Sequence, residues 1–184
     1  MNVDARRYRE FDTNEIGRLL DIDPRRAEGW AETQLVVPRR VGRGPGSRRR
    51  WTLANVAEGA VVLAMQEIVG ERSPLTRLAV RAVGDKDRMM ITRDDDGRPQ
   101  LTDPPSSGAI AEQIATGELM DAKDNVLTVV AGTREIALAV VGFGPNAAEI
   151  VEQQRGQHFI CMVPLRPRLA EILERFEALE RESP

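Results

Sequence analysis

The sequence is short of the residues on which most site chemistry depends. Among its 184 residues there is one cysteine, Cys161, and one histidine, His158. A lone cysteine excludes an intramolecular disulfide and a cysteine-rich zinc site, and a lone histidine is too few for a His-based metal site. Such cysteine usage suits a reducing compartment, so the expected location is the cytoplasm, in association with the nucleoid. Lysine is also scarce: Lys86 and Lys123 are the only two among 26 basic residues, and that ratio alone assigns no function. Long apolar runs are missing. Stretches such as Ile136–Val141 fall far below the ~20 residues of a spanning helix, so no membrane association is expected. The opening MNVDARRYREF holds no apolar core, so no secretory signal is expected. No nucleophile–base pair, paired-carboxylate motif or phosphate loop is visible. The expectation is a protein that is not an enzyme, with no catalytic residue, cofactor or metal.

What is present is ordinary for a globular chain, 41% hydrophobic and 30% charged, at a length that allows one or two domains. The net charge of −3 hides an asymmetry. Residues 1–83 carry fifteen basic and eleven acidic side chains, a net +4, and residues 84–184 carry eleven and eighteen, a net −7. A basic module joined to an acidic one points to nucleic acid at the first.

The opening is polar and reads as loose. Asp12 is placed to cap a helix, and Glu15 three residues on completes a capping box. Ile16, Leu19 and Leu20 then form one apolar face. Asp23-Pro24 starts a second helix to about Glu32, with Ala27, Trp30 and Ala31 inward. Two short helices across a tight turn have the size of a helix-turn-helix. Leu35-Val36-Val37-Pro38 reads as extended. Residues 39–50 hold six arginines, three glycines, one proline and no acid, the pattern of a basic hairpin with a mobile tip. Helices are expected over 53–69 and from Ser73-Pro74 to about Val83.

A second module begins near residue 85. Strands are expected over 88–93, 100–102, 125–131, 135–141 and 159–163, with helices over 109–120 and 146–154. The expected architecture is α+β: a four-helix module with a basic hairpin over 1–84, then a small, mainly antiparallel α+β domain over 85–184 that ends in an amphipathic helix. That last helix, about 167–182, carries Leu165, Leu169, Ile172, Phe176 and Leu179 at alternating spacings of four and three. The stripe fits either packing on a partner helix or docking within the chain.

The first 83 residues resemble the MerR-type winged helix-turn-helix. The likeness rests on FDTNEIGRLLDIDPRRAEGWAETQLVVPRR, GSRRRWTLANVAEGAVVLAMQEIVG and SPLTRLAVRAV. Trp30 stands at the aromatic position of the second helix, Leu35 and Pro38 match its exit, and Arg49-Arg50-Trp51 matches the Arg-x-aromatic end of the wing. Ala31 replaces the usual Glu, and Gln34 replaces the usual Gly. A β-rich segment follows where the family has its long dimer helix. The resemblance therefore implies DNA binding rather than the family's promoter-twisting activation. The wing is also similar in texture to those of some antitoxins of toxin–antitoxin pairs.

Arginine pairs with phosphates and, through its forked donors, with guanine O6 and N7. The candidate DNA contacts are Thr13 at the first helix start, Arg25 and Arg26 in the first turn of the second helix, and Arg39, Arg40, Arg43, Arg48, Arg49 and Arg50 in the wing. The competing readings are a solvated helix face for Arg25 and Arg26, and a charged surface loop for the wing, which the absence of any acid in twelve residues opposes. About six neutralised phosphates give a salt slope near −5 per protomer. Trp30 and Trp51 read as core anchors rather than base stackers. Asp94-Asp95-Asp96-Gly97 reads as a turn, since the remaining ligands of a calcium loop are missing. Gly142-Phe143-Gly144-Pro145-Asn146-Ala147 also reads as a turn, with no acid after the next strand to complete a dinucleotide site. Cys161 reads as buried and inert, and His158 as a strand-edge residue.

The reading these features favour is a sequence-specific, double-stranded-DNA-binding transcriptional regulator, homodimeric and autoregulatory. Its acidic domain would dimerise, bind a small effector or bind a protein. Two alternatives carry different partners: an antitoxin-like protein whose C-terminal domain binds a partner protein, and a structural DNA-binding adaptor such as a phage packaging component.

Overall fold

A computed structural model describes residues 3–41, 48–84, 90–93, 99–102, 107–121, 126–132, 140–142 and 158–182. It is mixed α and β. The described elements are, in chain order, α1 (Val3–Arg7), α2 (Thr13–Leu20), α3 (Pro24–Glu32), β1 (Arg39–Val41), β2 (Arg48–Arg50), α4 (Leu53–Val69), α5 (Pro74–Gly84), β3 (Met90–Arg93), β4 (Pro99–Thr102), α6 (Ser107–Thr116), β5 (Val126–Gly132), β6 (Val140–Gly142), β7 (His158–Pro164) and α7 (Arg166–Glu182). The hairpin tip with Arg43, the Asp94–Gly97 turn, the first part of the strand expected over 135–141, the residues 143–147 turn and the helix expected over 146–154 lie outside the described residues. His158 and Cys161 are described only as backbone of β7. Contacts divide the chain into two compact units: one of Met1–Ala60, Ser107–Leu119 and Pro167–Pro184, the other of Val61–Ser106 and Met120–Arg166.

In the first unit, local chemistry sets α2 and α3. The Asp12 carboxylate accepts the N–H groups of Asn14 (2.8 Å) and Glu15 (2.9 Å), and Glu15 in return accepts Asp12 N–H (2.8 Å). This reciprocal box satisfies orphan donors at the helix start. The helix ends at Asp21, whose φ of 56° is left-handed, a conformation a short polar side chain tolerates. Pro24 then opens α3 with Asp23 as its cap, as Asp23-Pro24 predicts.

The turn needs Gly17. Ile22 N–H donates to Gly17 O (2.9 Å), and a Cβ at Gly17 would lie 2.9 Å from Ile22 O and 3.0 Å from Pro24 Cγ. Alanine is intrinsically the better helix residue by about 1 kcal/mol. The backbone oxygen in its way cannot move without opening the turn, and overpacking costs about 1–3 kcal/mol. Gly17→Ala is therefore expected to lower stability by about 1–2 kcal/mol, read as a lower urea midpoint at unchanged m-value.

α3 ends in a Schellman motif. Leu35 N–H reaches Trp30 O (2.8 Å) and Gln34 N–H reaches Ala31 O (3.4 Å), with Gln34 at φ 55°. This is the left-handed position a glycine takes freely, and glutamine takes it at a cost of about 1–2 kcal/mol. The Leu35–Pro38 stretch expected to be extended thus begins in the helix exit, with Leu35, Val36 and Pro38 buried and Val37 exposed.

The helices close on one core. Phe11, Ile16, Leu20, Trp30 and Trp51 are buried there, and α4 approaches closely at Gly59, where a Cβ would meet Leu20 Cδ1 at 2.5 Å. α7 completes the unit. Its Leu169, Ile172, Phe176 and Leu179 are all buried, and the Phe176 ring meets Phe11 edge-on at 6.0 Å. The apolar stripe is covered within the chain.

The opening residues, read as loose from the sequence, form α1. Its arginines explain why. Arg6 makes a bidentate pair with Glu180 (2.9 and 2.6 Å), and Arg7 pairs through Nε and Nη2 with Glu112. The hydrogen bond from Arg7, with its charge, holds the Glu112 carboxyl below its usual range. Partners more than a hundred residues away hold a helix that local propensity does not.

In the second unit, Ser73 caps α5 and the buried Thr76 donates its hydroxyl to Gly70 O (2.8 Å). β3 and β4 form an antiparallel hairpin, and β6-β5-β7 form a three-stranded antiparallel sheet against which α5 lies. Leu127 and Val163, paired across β5 and β7, are both buried. The antiparallel pairing expected of this segment is present.

Candidate nucleic-acid interface

The basic hairpin is held at its base from two sides. Trp51 is buried and exchanges backbone hydrogen bonds with Phe11 (2.8 and 3.0 Å), which stitches the end of β2 to the segment before α2. Its indole N–H donates to Thr13 Oγ1 (3.3 Å). Thr13, a predicted contact, is thus an acceptor for Trp51 that keeps its own O–H as a donor. On the other side, Asn55 accepts from Thr52 N–H (3.1 Å) and donates from Nδ2 to Val37 O (3.3 Å). Sequence reasoning passed over Asn55. The signal was there: Thr52 followed three residues on by a polar amide, the spacing of a capping box.

β1 and β2 pair in antiparallel register, Arg39 opposite Arg50, Arg40 opposite Arg49, and Val41 opposite Arg48. Directly opposed residues share a face, with Cβ atoms about 5 Å apart, and like charges so placed are destabilising by up to about 1 kcal/mol per pair. This hairpin sets arginine against arginine twice. Nearby acids offset little of that: Arg39 lies 3.7 Å from Glu10, and Arg49 lies 3.7 Å from Glu32. Among the described residues, Arg40, Arg48 and Arg50 have no acidic partner.

The two arginines that open α3 differ in the same way. Arg25 is exposed, with its backbone N–H on the Asp23 carboxylate (2.9 Å) and no ion pair among the described residues. Arg26 is half-buried and stacks over the Trp30 ring at 5.4 Å, a cation–π contact that commits its guanidinium. Trp30 itself is buried, as is Trp51, so neither indole is open to stack on a base.

The predicted positions therefore fall into three places. Thr13 sits at the start of α2, Arg25 and Arg26 at the start of α3, and Arg39, Arg40, Arg48, Arg49 and Arg50 on the hairpin. Arg49 reaches the far half of α3, where its Nη1 donates to Glu28 O (3.4 Å). Among the described residues, no cluster of His, Cys, Asp and Glu could hold a metal, and no helix is long and apolar enough to cross a membrane. The arrangement offers fixed positive charge and forked donors, the chemistry of phosphate and base-edge recognition. Comparison with models of known protein families finds no match, and comparison with curated proteins finds no similar sequence.

Proposed function

We propose that the protein is a transcriptional regulator that binds double-stranded DNA sequence-specifically, as a homodimer, through a winged helix-turn-helix formed by α2, α3 and the β1–β2 hairpin. The observation that carries this reading is the hairpin register. A fold that holds arginine opposite arginine, and leaves Arg40, Arg48 and Arg50 without acids among the described residues, stores a repulsion that a polyanion relieves. In this reading α3 enters the major groove with its first turn foremost, and Arg25 there reads a base edge, guanine being the base its fork fits. The hairpin follows the phosphates alongside. Two half-sites bound by a dimer add affinity by linkage.

The acidic C-terminal half of the chain, residues 85–184, then serves dimerisation, an effector or a protein partner, and autoregulation makes the protein's own upstream region the first duplex to test. The test is fluorescence anisotropy with that duplex and with a scrambled one of equal composition. The expected result is tighter binding to the upstream duplex by about 10³-fold or more, the usual gap between specific and non-specific binding.

A further inference from the structure

Arg48, Arg49 and Arg50 are three identical residues in a row, and the structure gives them different surroundings. In a strand, successive side chains point to opposite faces, so Arg49 faces away from its two neighbours. Its side chain is 19% exposed. One guanidinium nitrogen donates to Glu28 O, and the other lies 3.7 Å from the Glu32 carboxylate. Both partners belong to the second half of α3, whose C-terminal end carries the negative pole of the helix dipole and favours a cation beside it. Arg48 and Arg50 have no such partners among the described residues. Two residues past Arg49, Trp51 ties the same strand to the segment before α2.

We propose that Arg49 is a positioning residue of the nucleic-acid interface: it clamps the hairpin to α3 through Glu28 and Glu32 and makes no contact with nucleic acid. The two reading elements, the first turn of α3 and the hairpin arginines, are then presented in one fixed relation. This rests on the DNA-binding reading above, and it turns one prediction of simple electrostatics upside down. Neutralising an acid near a DNA-binding surface ordinarily tightens binding. If Glu32 is half of the clamp, neutralising it loosens binding.

The experiment compares Glu32→Gln, Arg49→Gln, the double variant and Arg48→Gln by anisotropy on the upstream duplex across a salt series, with hydrogen exchange of the hairpin amides in the free proteins. Glu32→Gln and Arg49→Gln are each expected to weaken binding about threefold to fivefold, the range of a part-exposed ion pair, at unchanged salt slope. The double variant is expected to be no weaker than Arg49→Gln alone. Arg48→Gln is expected to make the slope shallower by about 0.9, one phosphate contact. Exchange at residues 39–41 and 48–50 is expected to speed up in the two clamp variants and not in Arg48→Gln. Tighter binding by Glu32→Gln, with a slope shallower by about 0.9 in Arg49→Gln, would overturn the clamp and make Arg49 a phosphate contact. A wild-type protein that binds no duplex sinks the DNA reading instead, and the exchange data then decide the clamp by themselves: unchanged exchange overturns it.

Discussion

Phe176→Ala is expected to cost the first unit about 3–5 kcal/mol, the usual penalty for emptying a buried phenylalanine site. The ring is fully buried, meets Phe11 edge-on, and lies beneath the guanidinium groups of Arg6 (5.6 Å) and Arg9 (5.9 Å). Removing it opens a cavity, deprives Phe11 of its edge-on neighbour, and takes the π face from two cations. A domain of this size is stable by about 5–15 kcal/mol, so the loss is a large fraction of the whole. Urea unfolding followed by circular dichroism reads it directly. Glu182→Gln, on the same helix as Phe176, is the control: it removes the ion pair with Arg18 of α2, in which both side chains are more than half exposed, and should cost under about 1 kcal/mol. If the stripe were instead a seam for a partner helix, Phe176→Ala would lower the oligomeric mass and leave the midpoint of the monomer unchanged. That outcome would contradict the packing described here.

The triple variant Arg40→Ala/Arg48→Ala/Arg50→Ala is expected to weaken DNA binding on the order of 100-fold at about 0.15 M salt and to make the slope of log K against log salt shallower by about 2.7. The arithmetic is that of counterion release. Each neutralised phosphate contributes about 0.9 to the slope and therefore about fivefold in affinity at that salt. Specific and scrambled duplexes should lose affinity alike, because phosphate contacts carry no sequence information. The folded state should gain slightly, since two like-charge pairs across the hairpin disappear. Arg25→Ala in the same assay should do the reverse, with loss concentrated on the specific duplex. Equal losses on both duplexes from Arg25→Ala would remove it from base reading.

Much of the fold was legible in the sequence where its cause is local. Asp12 with Glu15 announces α2, Asp23-Pro24 announces α3, and the apolar stripe running from Leu53 to Val69 gives α4 its observed limits. The basic hairpin was legible from arginines flanking a glycine–proline centre. What was not legible depends on distant partners. α1 owes its place to Glu112 and Glu180, and no feature of residues 3–7 names them. The stripe on α7 shows that a face must be buried, and not that Phe11 lies across from it. Gly17 looks like a weak point in a helix until Ile22 O is seen where its Cβ would be. In the candidate site the limit is sharper still. Arg25 and Arg26, or Arg48 and Arg49, are chemically identical neighbours. The Trp30 ring marks Arg26, and the Glu28 carbonyl and Glu32 carboxylate mark Arg49, as the committed guanidinium of each pair.

The central claim is that the hairpin and α3 bind DNA with sequence preference, and the most direct test is wild-type anisotropy on the upstream and scrambled duplexes across a salt series. The expected result is tight binding to the upstream duplex, a slope near about −5 per protomer, and a specificity ratio that persists as salt rises. Equal and weak binding to both duplexes would reduce the hairpin to a non-specific basic arm, and no binding to either would contradict the claim outright.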